Sequence, residues 1–295
     1  MPVDAVAYAL ALPHLPGVGR VATHRLLDAF PTLDALRATP REQVLHRLKG
    51  VPGAAALVAT LFDDAAFQPA LDAARAELDT LRARRIAAIP PNAPGWPAGL
   101  AALERRDRPE ALYLYGPPAA LDIPRVAMLG APGLPPDAFE DAQRLVGALA
   151  RRGVGVLSAL ATGFDVVMAK RAADTGPDSV SGAVLVAGCG LGVVPATMRP
   201  AAMQAVQSGG ALVSPFGRSH GPFAHDEVDR ARVMAALGPA VVFGGADGGP
   251  EMRALALHGI LVHPAVAAPD AALRLTGEVE ADADRLAALA RDGRG

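Results

Sequence analysis

From Ile86 to Val262, short apolar runs alternate with segments of helical length, and this rhythm restricts the fold more than any other feature. The runs are Ile86–Ile89, Ala111–Tyr115, Val126–Leu129, Val154–Leu157, Ala183–Ala187, Ala211–Val213, Ala240–Phe243 and Ile260–Val262. Between most of the later ones lie Asp137–Arg152, Phe164–Thr175, Arg199–Gln207, Glu227–Leu237 and Glu251–His258. Several runs are apolar throughout, as in parallel strands covered on both faces. Strand and helix in repeated alternation predict an α/β, doubly wound, mainly parallel sheet of the Rossmann-like kind over residues 86–268.

Residues 1–85 read differently. Tyr8, Leu12, Leu15, Val21, Leu26, Leu27, Leu33, Leu36, Val44 and Leu48 recur at helical spacing, broken by Pro and Gly. The expectation is a small all-helical (SAM/helix-hairpin-helix-like) domain ending near Arg85. Residues 269–295 are expected to form a short tail with one helix at Asp284–Arg291, too short for a winged-helix domain.

Composition narrows the function. Basic residues number 28 and acidic 30, a net charge of −2, so any nucleic-acid site must be a local patch. A single cysteine, Cys189, excludes an intramolecular disulfide and a cysteine-cluster zinc site. No leader-like N-terminus and no apolar run of about 18 residues are visible, so the expectation is a cytoplasmic protein without a membrane span. No cofactor or metal is called for.

Two sets of residues carry chemistry. Leu15-Pro16-Gly17-Val18-Gly19, before the helical run Arg20–Phe30, is a helix-hairpin-helix turn. Gly17, Gly19 and Arg20 could meet a phosphate at the helix start, with His24 and Arg25 adding charge. A tight interhelical turn that touches nothing fits equally well, since charges over residues 1–85 nearly balance. The second set follows the strands, where open α/β sheets bind ligands. It comprises Gly130–Gly133, Ser158–Asp165 with Gly163, and Gly188-Cys189-Gly190-Leu191-Gly192. The last lacks dinucleotide-fingerprint spacing. Asp165 reads as a ligand contact or as a partner of its helix N-terminus. Arg230 and Arg232 read as phosphate contacts or as partners of Glu227 and Asp229. Arg199 could be a solvated side chain, Cys189 a buried inert thiol, and His220 with His225 has poor zinc spacing.

The order of these blocks resembles the DNA-processing protein A (DprA, Smf) family. Leu12–Gly19 resembles its N-terminal hairpin, and Trp96-Pro97 with Pro109–Gly116 its entry to the Rossmann-like domain. Val126–Pro132 stands at its Gly-Ser-Arg turn, Val156–Asp165 at its Ser-Gly-Leu-Ala-x-Gly-Ile-Asp block, and Val186–Pro195 at its Gly-Leu-Asp-x-x-Tyr-Pro block. Gly210–Phe223 stands at its Pro-rich loop, and Arg230–Leu237 at Arg-Asn-Arg-Ile-Ile-Ala-Gly-Leu. The resemblance implies a homodimeric, non-enzymatic mediator of homologous recombination. Such a protein binds single-stranded DNA and loads the RecA recombinase in natural transformation (competence) or DNA repair, with single-stranded DNA-binding protein as a further partner. The matching pocket positions are Gly130, Ser158, Gly163, Asp165, Gly188, Arg199, Arg230 and Arg232. The sequence departs from the family at Ala131-Pro132, where the turn's arginine is missing, at Ala231, and at Gly244–Pro250. Phe164 and Phe223 are the aromatic candidates for base stacking, and the apolar Ala240–Phe243 and Glu251–His258 for the dimer contact. Two other readings stay open. One is a lysine-decarboxylase-like (LOG) nucleoside-monophosphate phosphoribohydrolase, suggested by the paired glycines and Glu251 of Phe243–Glu251; the other is a scaffold of the same family without DNA binding.

Overall fold

A computed structural model describes residues 3–130, 134–161, 163–174, 182–243, 261–262 and 273–292. The chain divides into two compact units, Met1–Trp96 with Leu103–Tyr113, and Pro97–Ala102 with Leu114–Gly295. These cuts differ from the sequence boundaries at Arg85 and residue 268. The first unit carries α1 (Val3–Ala11), α2 (Arg20–Ala29), α3 (Leu33–Arg37), α4 (Arg41–Arg47), α5 (Ala54–Leu61), α6 (Asp64–Ala83) and β1 (Ile86–Ile89). Helix α6 starts where Asp63 accepts the Ala65 and Ala66 amides at 2.9 and 3.3 Å, an N-cap worth about 1 kcal/mol. Its Phe67, Leu71, Ala74, Leu78 and Leu81 form one buried stripe, and Tyr8 of α1 meets Phe67 edge-on at 6.4 Å.

The next elements are α7 (Ala98–Ala102), β2 (Leu112–Tyr115), β3 (Arg125–Gly130), α8 (Pro136–Arg151), β4 (Gly155–Ala159), α9 (Phe164–Ala173) and β5 (Ala183–Val186). They are followed by α10 (Arg199–Gln207), β6 (Ala211–Ser214), α11 (Asp226–Leu237), β7 (Ala240–Phe243), β8 (Leu261–Val262), β9 (Leu273–Arg274) and α12 (Val279–Asp292). In the second unit the strand order runs β6-β5-β4-β3-β7-β8-β9, every pair parallel. The α/β, Rossmann-like fold class read from the sequence is the one observed.

Alternation along the strands sorts the layers. Val126, Met128, Val156, Leu185, Leu212, Val241 and Phe243 join one core with the buried faces of α8, α9, α10 and α12. Their neighbours Ala127, Leu157 and Val184 are buried on the opposite face, where α11 lies over β3, β4 and β5. Gly99 of α7 meets the Ala236 carbonyl so closely that a Cβ there would overlap it. Strand β7 sits between β3 and β8. Its apolarity is therefore that of an interior strand and is no sign of a dimer contact; the companion segment Glu251–His258 lies outside the described residues. The presumed tail is also built in. Helix α12 starts five residues earlier than Asp284 and buries Ala283, Leu286, Ala287 and Ala290. The Asp282 carboxylate fixes its entry by accepting from the Thr276 and Gly277 amides and the Thr276 hydroxyl at 2.8–2.9 Å. No helix among the described residues is long and apolar enough to cross a membrane.

Candidate functional site

Strand polarity places the glycine turns at one edge. Register pairs Ala127 with Leu157, Leu157 with Val184 and Val184 with Ala211, so β3 to β6 end level, and Gly130 lies opposite Phe243 of β7. The chain steps from β3 outward to β6 and then returns to the other side of β3 as β7. Gly130 therefore stands at the topological switch point, where open α/β sheets bind ligands.

The predicted residues separate into two groups on the two faces of this edge. On the α9 face are Gly130, Ser158, Gly163 and Asp165. A Cβ on Gly130 would sit 2.2 Å from the Phe164 ring, so the ring's packing requires this glycine. Gly163, before α9, has φ +70° and ψ −118° with no atom within 4 Å of a Cβ position. Here the backbone requires glycine, and the space above it is open. Ser158 is fully buried and donates to the Asp165 carboxylate at 2.8 Å, which also accepts the Ala159 amide at 3.2 Å. Asp165 thus ties the end of β4 to the first turn of α9 while complementing the helix dipole. Phe164 is 7% exposed, edge-on to Phe139 and tilted against Phe243, so it offers no platform for a base.

On the α11 face are Gly188, Arg230 and Arg232. Arg230 lays its guanidinium over Gly188, with Nη1 3.2 Å from where a Cβ would stand. Arg232 pairs with Asp229 at 2.9 Å. Both arginines are half-buried, whereas a phosphate-contacting pair on a helix start would be expected to be exposed. Arg199 is exposed and donates through Nε to the Val194 carbonyl at 3.1 Å. Burial pushes the Cys189 thiol up; the Asp226 charge adds to this and Arg230 opposes it.

The sequence missed the cluster beside Cys189. The Ser214 hydroxyl donates to the Cys189 carbonyl at 2.8 Å and accepts the Phe216 amide at 3.0 Å. Asp226, 2% exposed, accepts the Phe223 amide at 2.9 Å and faces the His220 ring nitrogen at 2.9 and 3.0 Å. A buried aspartate at a helix start has no sequence signature separating it from an exposed one. Among the described residues no group of three His, Cys, Asp or Glu is arranged to hold a metal.

The N-terminal hairpin has less charge than its sequence suggests. Gly17 has φ +77° and Gly19 precedes α2, as a tight turn requires. His24, however, is fully buried, and burial lowers its pKa to about 4, so it adds no positive charge. Arg20 and His14 face the largely buried Glu110, whose carboxyl burial raises while their charges lower it. Arg25 is engaged with the Lys49 carbonyl at 2.6 Å.

The profile of the DNA recombination-mediator protein A family matches residues 87–248, more than half of the chain. The chain belongs to the DNA recombination-mediator protein A family. The match covers the switch-point edge and both of its faces but begins after the hairpin. DNA processing protein A from Streptococcus pneumoniae superimposes with a TM-score of 0.61 at 16% identity, over 91% of this chain and 98% of that one. DNA processing protein A from Helicobacter pylori, described for a unique single-stranded DNA binding mode, gives 0.51 at 21% identity, over 61% and 81%. At such identities the likeness is one of fold. Comparison with curated proteins returned no match.

Proposed function

We propose that this recombination mediator binds single-stranded DNA at the switch-point edge without base specificity, and helps load a RecA-type recombinase onto that strand in transformation or repair. Gly163 carries the reading: a glycine at positive φ, open above, at the first turn of a ten-residue helix beside the switch point. Amide groups at such a turn favour a phosphate, and Arg230 brings positive charge to the same edge. Single-stranded DNA-binding protein as a partner, and a homodimeric state, belong to this proposal through the family resemblance. The Gly-Ser-Arg arginine is missing at Ala131-Pro132, which argues for micromolar affinity, close to that of non-specific binding. Phe223, 53% exposed, remains the aromatic available to a base, worth about 1–3 kcal/mol.

Fluorescence anisotropy with oligo-dT at several salt concentrations tests the proposal. Arg230→Ala should weaken binding to all oligonucleotides alike and lower the salt slope by about 0.7. Arg232→Ala should do less, because Asp229 already neutralises that side chain. Circular dichroism must accompany both, since neither side chain is fully exposed. A parent protein that binds no DNA at low salt would leave the scaffold reading. The hydrolase reading draws on Gly244–Glu251, outside the described residues, and the family profile runs through most of that stretch.

A further inference from the structure

The first unit carries a groove of its own, with a volume of about 400 Å³. Val3 and Val6 of α1 line it, three residues apart, and Leu78 and Arg82 of α6 line it four residues apart. These are the spacings of side chains that share one helix face. Ala87 and Ala88 of β1 complete the wall with small side chains that leave room. The groove is open to solvent at its rim, where Val3 is 47% exposed.

Two further features say what fits there. Strand β1 ends the strand order, and Ile86–Ile89 form no backbone hydrogen bond outside the strand ladder among the described residues. Such an edge is a template for an extended chain. The second feature is charge. The α6 dipole favours a cation in its last turn, and Arg82 supplies one. Arg82 pairs with Asp79 at 3.3 Å, but both side chains are more than half exposed, so the pair is weak and open to exchange. Arg85 also lines the groove and has φ +57°, a left-handed conformation for which glycine is the default just past a helix. Its side chain is exposed and forms no ion pair among the described residues. We propose that this groove docks an extended acidic peptide of a partner protein, one whose apolar residues are flanked by carboxylates. The peptide adds a strand to β1, covers Val3, Val6 and Leu78 with its apolar side chains, and pairs its carboxylates with Arg82 and Arg85. Single-stranded DNA has the charge but lacks the backbone donors that a strand edge requires.

Fluorescence anisotropy on the full chain, with a labelled Asp-Asp-Val-Leu-Val-Asp peptide, tests the proposal. That peptide should bind, and versions with Lys for Asp, or with Ser for Val and Leu, should not. Arg85→Gly should weaken binding by a factor of about two to five, the worth of an exposed ion pair. It should melt no lower than the parent, because glycine suits the positive φ. Arg85→Lys should keep most of the affinity, and Val3→Glu should lose it. Hydrogen exchange read by mass spectrometry should slow across residues 86–89 when the peptide is bound. Absence of binding at millimolar peptide would overturn the proposal, as would affinity unchanged in both Arg85→Gly and Val3→Glu. Exchange unchanged at residues 86–89 in the bound state would do the same. Oligo-dT binding that Arg85→Gly and Val3→Glu weaken as they weaken the peptide would assign the groove to nucleic acid instead. The groove belongs to the first unit alone, so failure of DNA binding at the switch-point edge leaves the expected peptide results as they are.

Discussion

His24 shows how far one residue's chemistry can move from its sequence context. Its place after Gly17, Gly19 and Arg20 suggests a cation, yet it is buried with Nε2 3.4 Å from the Arg108 carbonyl, and its pKa falls from the ordinary 6.5 to about 4. Burial is the main cause, since the charged form loses its water. The unfolded chain therefore binds the extra proton between about pH 6.5 and 4. Stability should be flat above that window and decline as pH falls through it, by up to about 3 kcal/mol from this group. Calorimetric melts of the parent at pH 7.5 and 5.0 should show about 2 kcal/mol of that loss, because pH 5.0 still lies above the folded value, and His24→Gln should lose less over the same interval. Equal losses would mean that His24 titrates as it does in the unfolded chain.

At the scale of elements, the contact between the end of β3 and the start of α9 decides what Gly130 is for. The sequence offers a turn that lets a phosphate approach, whereas the structure fills the same space with the Phe164 ring. Gly130→Ala should therefore destabilise the fold by about 1–3 kcal/mol through overpacking. Adding Phe164→Leu should recover part of that loss by removing the clashing ring, measured as chemical denaturation midpoints. A single variant as stable as the parent would return Gly130 to the list of ligand-approach glycines. Gly163 differs, because its backbone conformation and the open space beside it leave no packing explanation. Helix α12 makes the same point for a whole element: its charged face, with Glu280 and Asp284 held by Arg151 and Arg152, reads as a tail, while its alanines and Leu286 enter the core.

For the whole molecule, a net charge of −2 means that the DNA binding proposed above would have to depend on a few groups gathered at one edge. The apolar β7 gives no support to a dimer contact, so the homodimer rests on family resemblance alone; light scattering should show a dimer at tens of micromolar, and a monomer there would remove it from the proposal. The fold was legible because wholly apolar runs such as Val184–Val186, spaced by helix-length segments, can be satisfied only by parallel strands covered on both sides. Three of the family's sequence blocks, at Val126–Pro132, Val156–Asp165 and Val186–Pro195, were legible for the same reason, since each begins in a strand and runs past its end. What a local pattern cannot carry is which face of the sheet a residue meets and how deeply it is buried. Only the tertiary structure placed Ser158 and Asp165 on one face and Gly188 under Arg230 on the other. It also drew His220 and Phe223 onto a single buried carboxylate and made a neutral core residue of His24. Those outcomes depend on packing between segments distant in sequence, where desolvation and close contact outweigh the preference of any one residue.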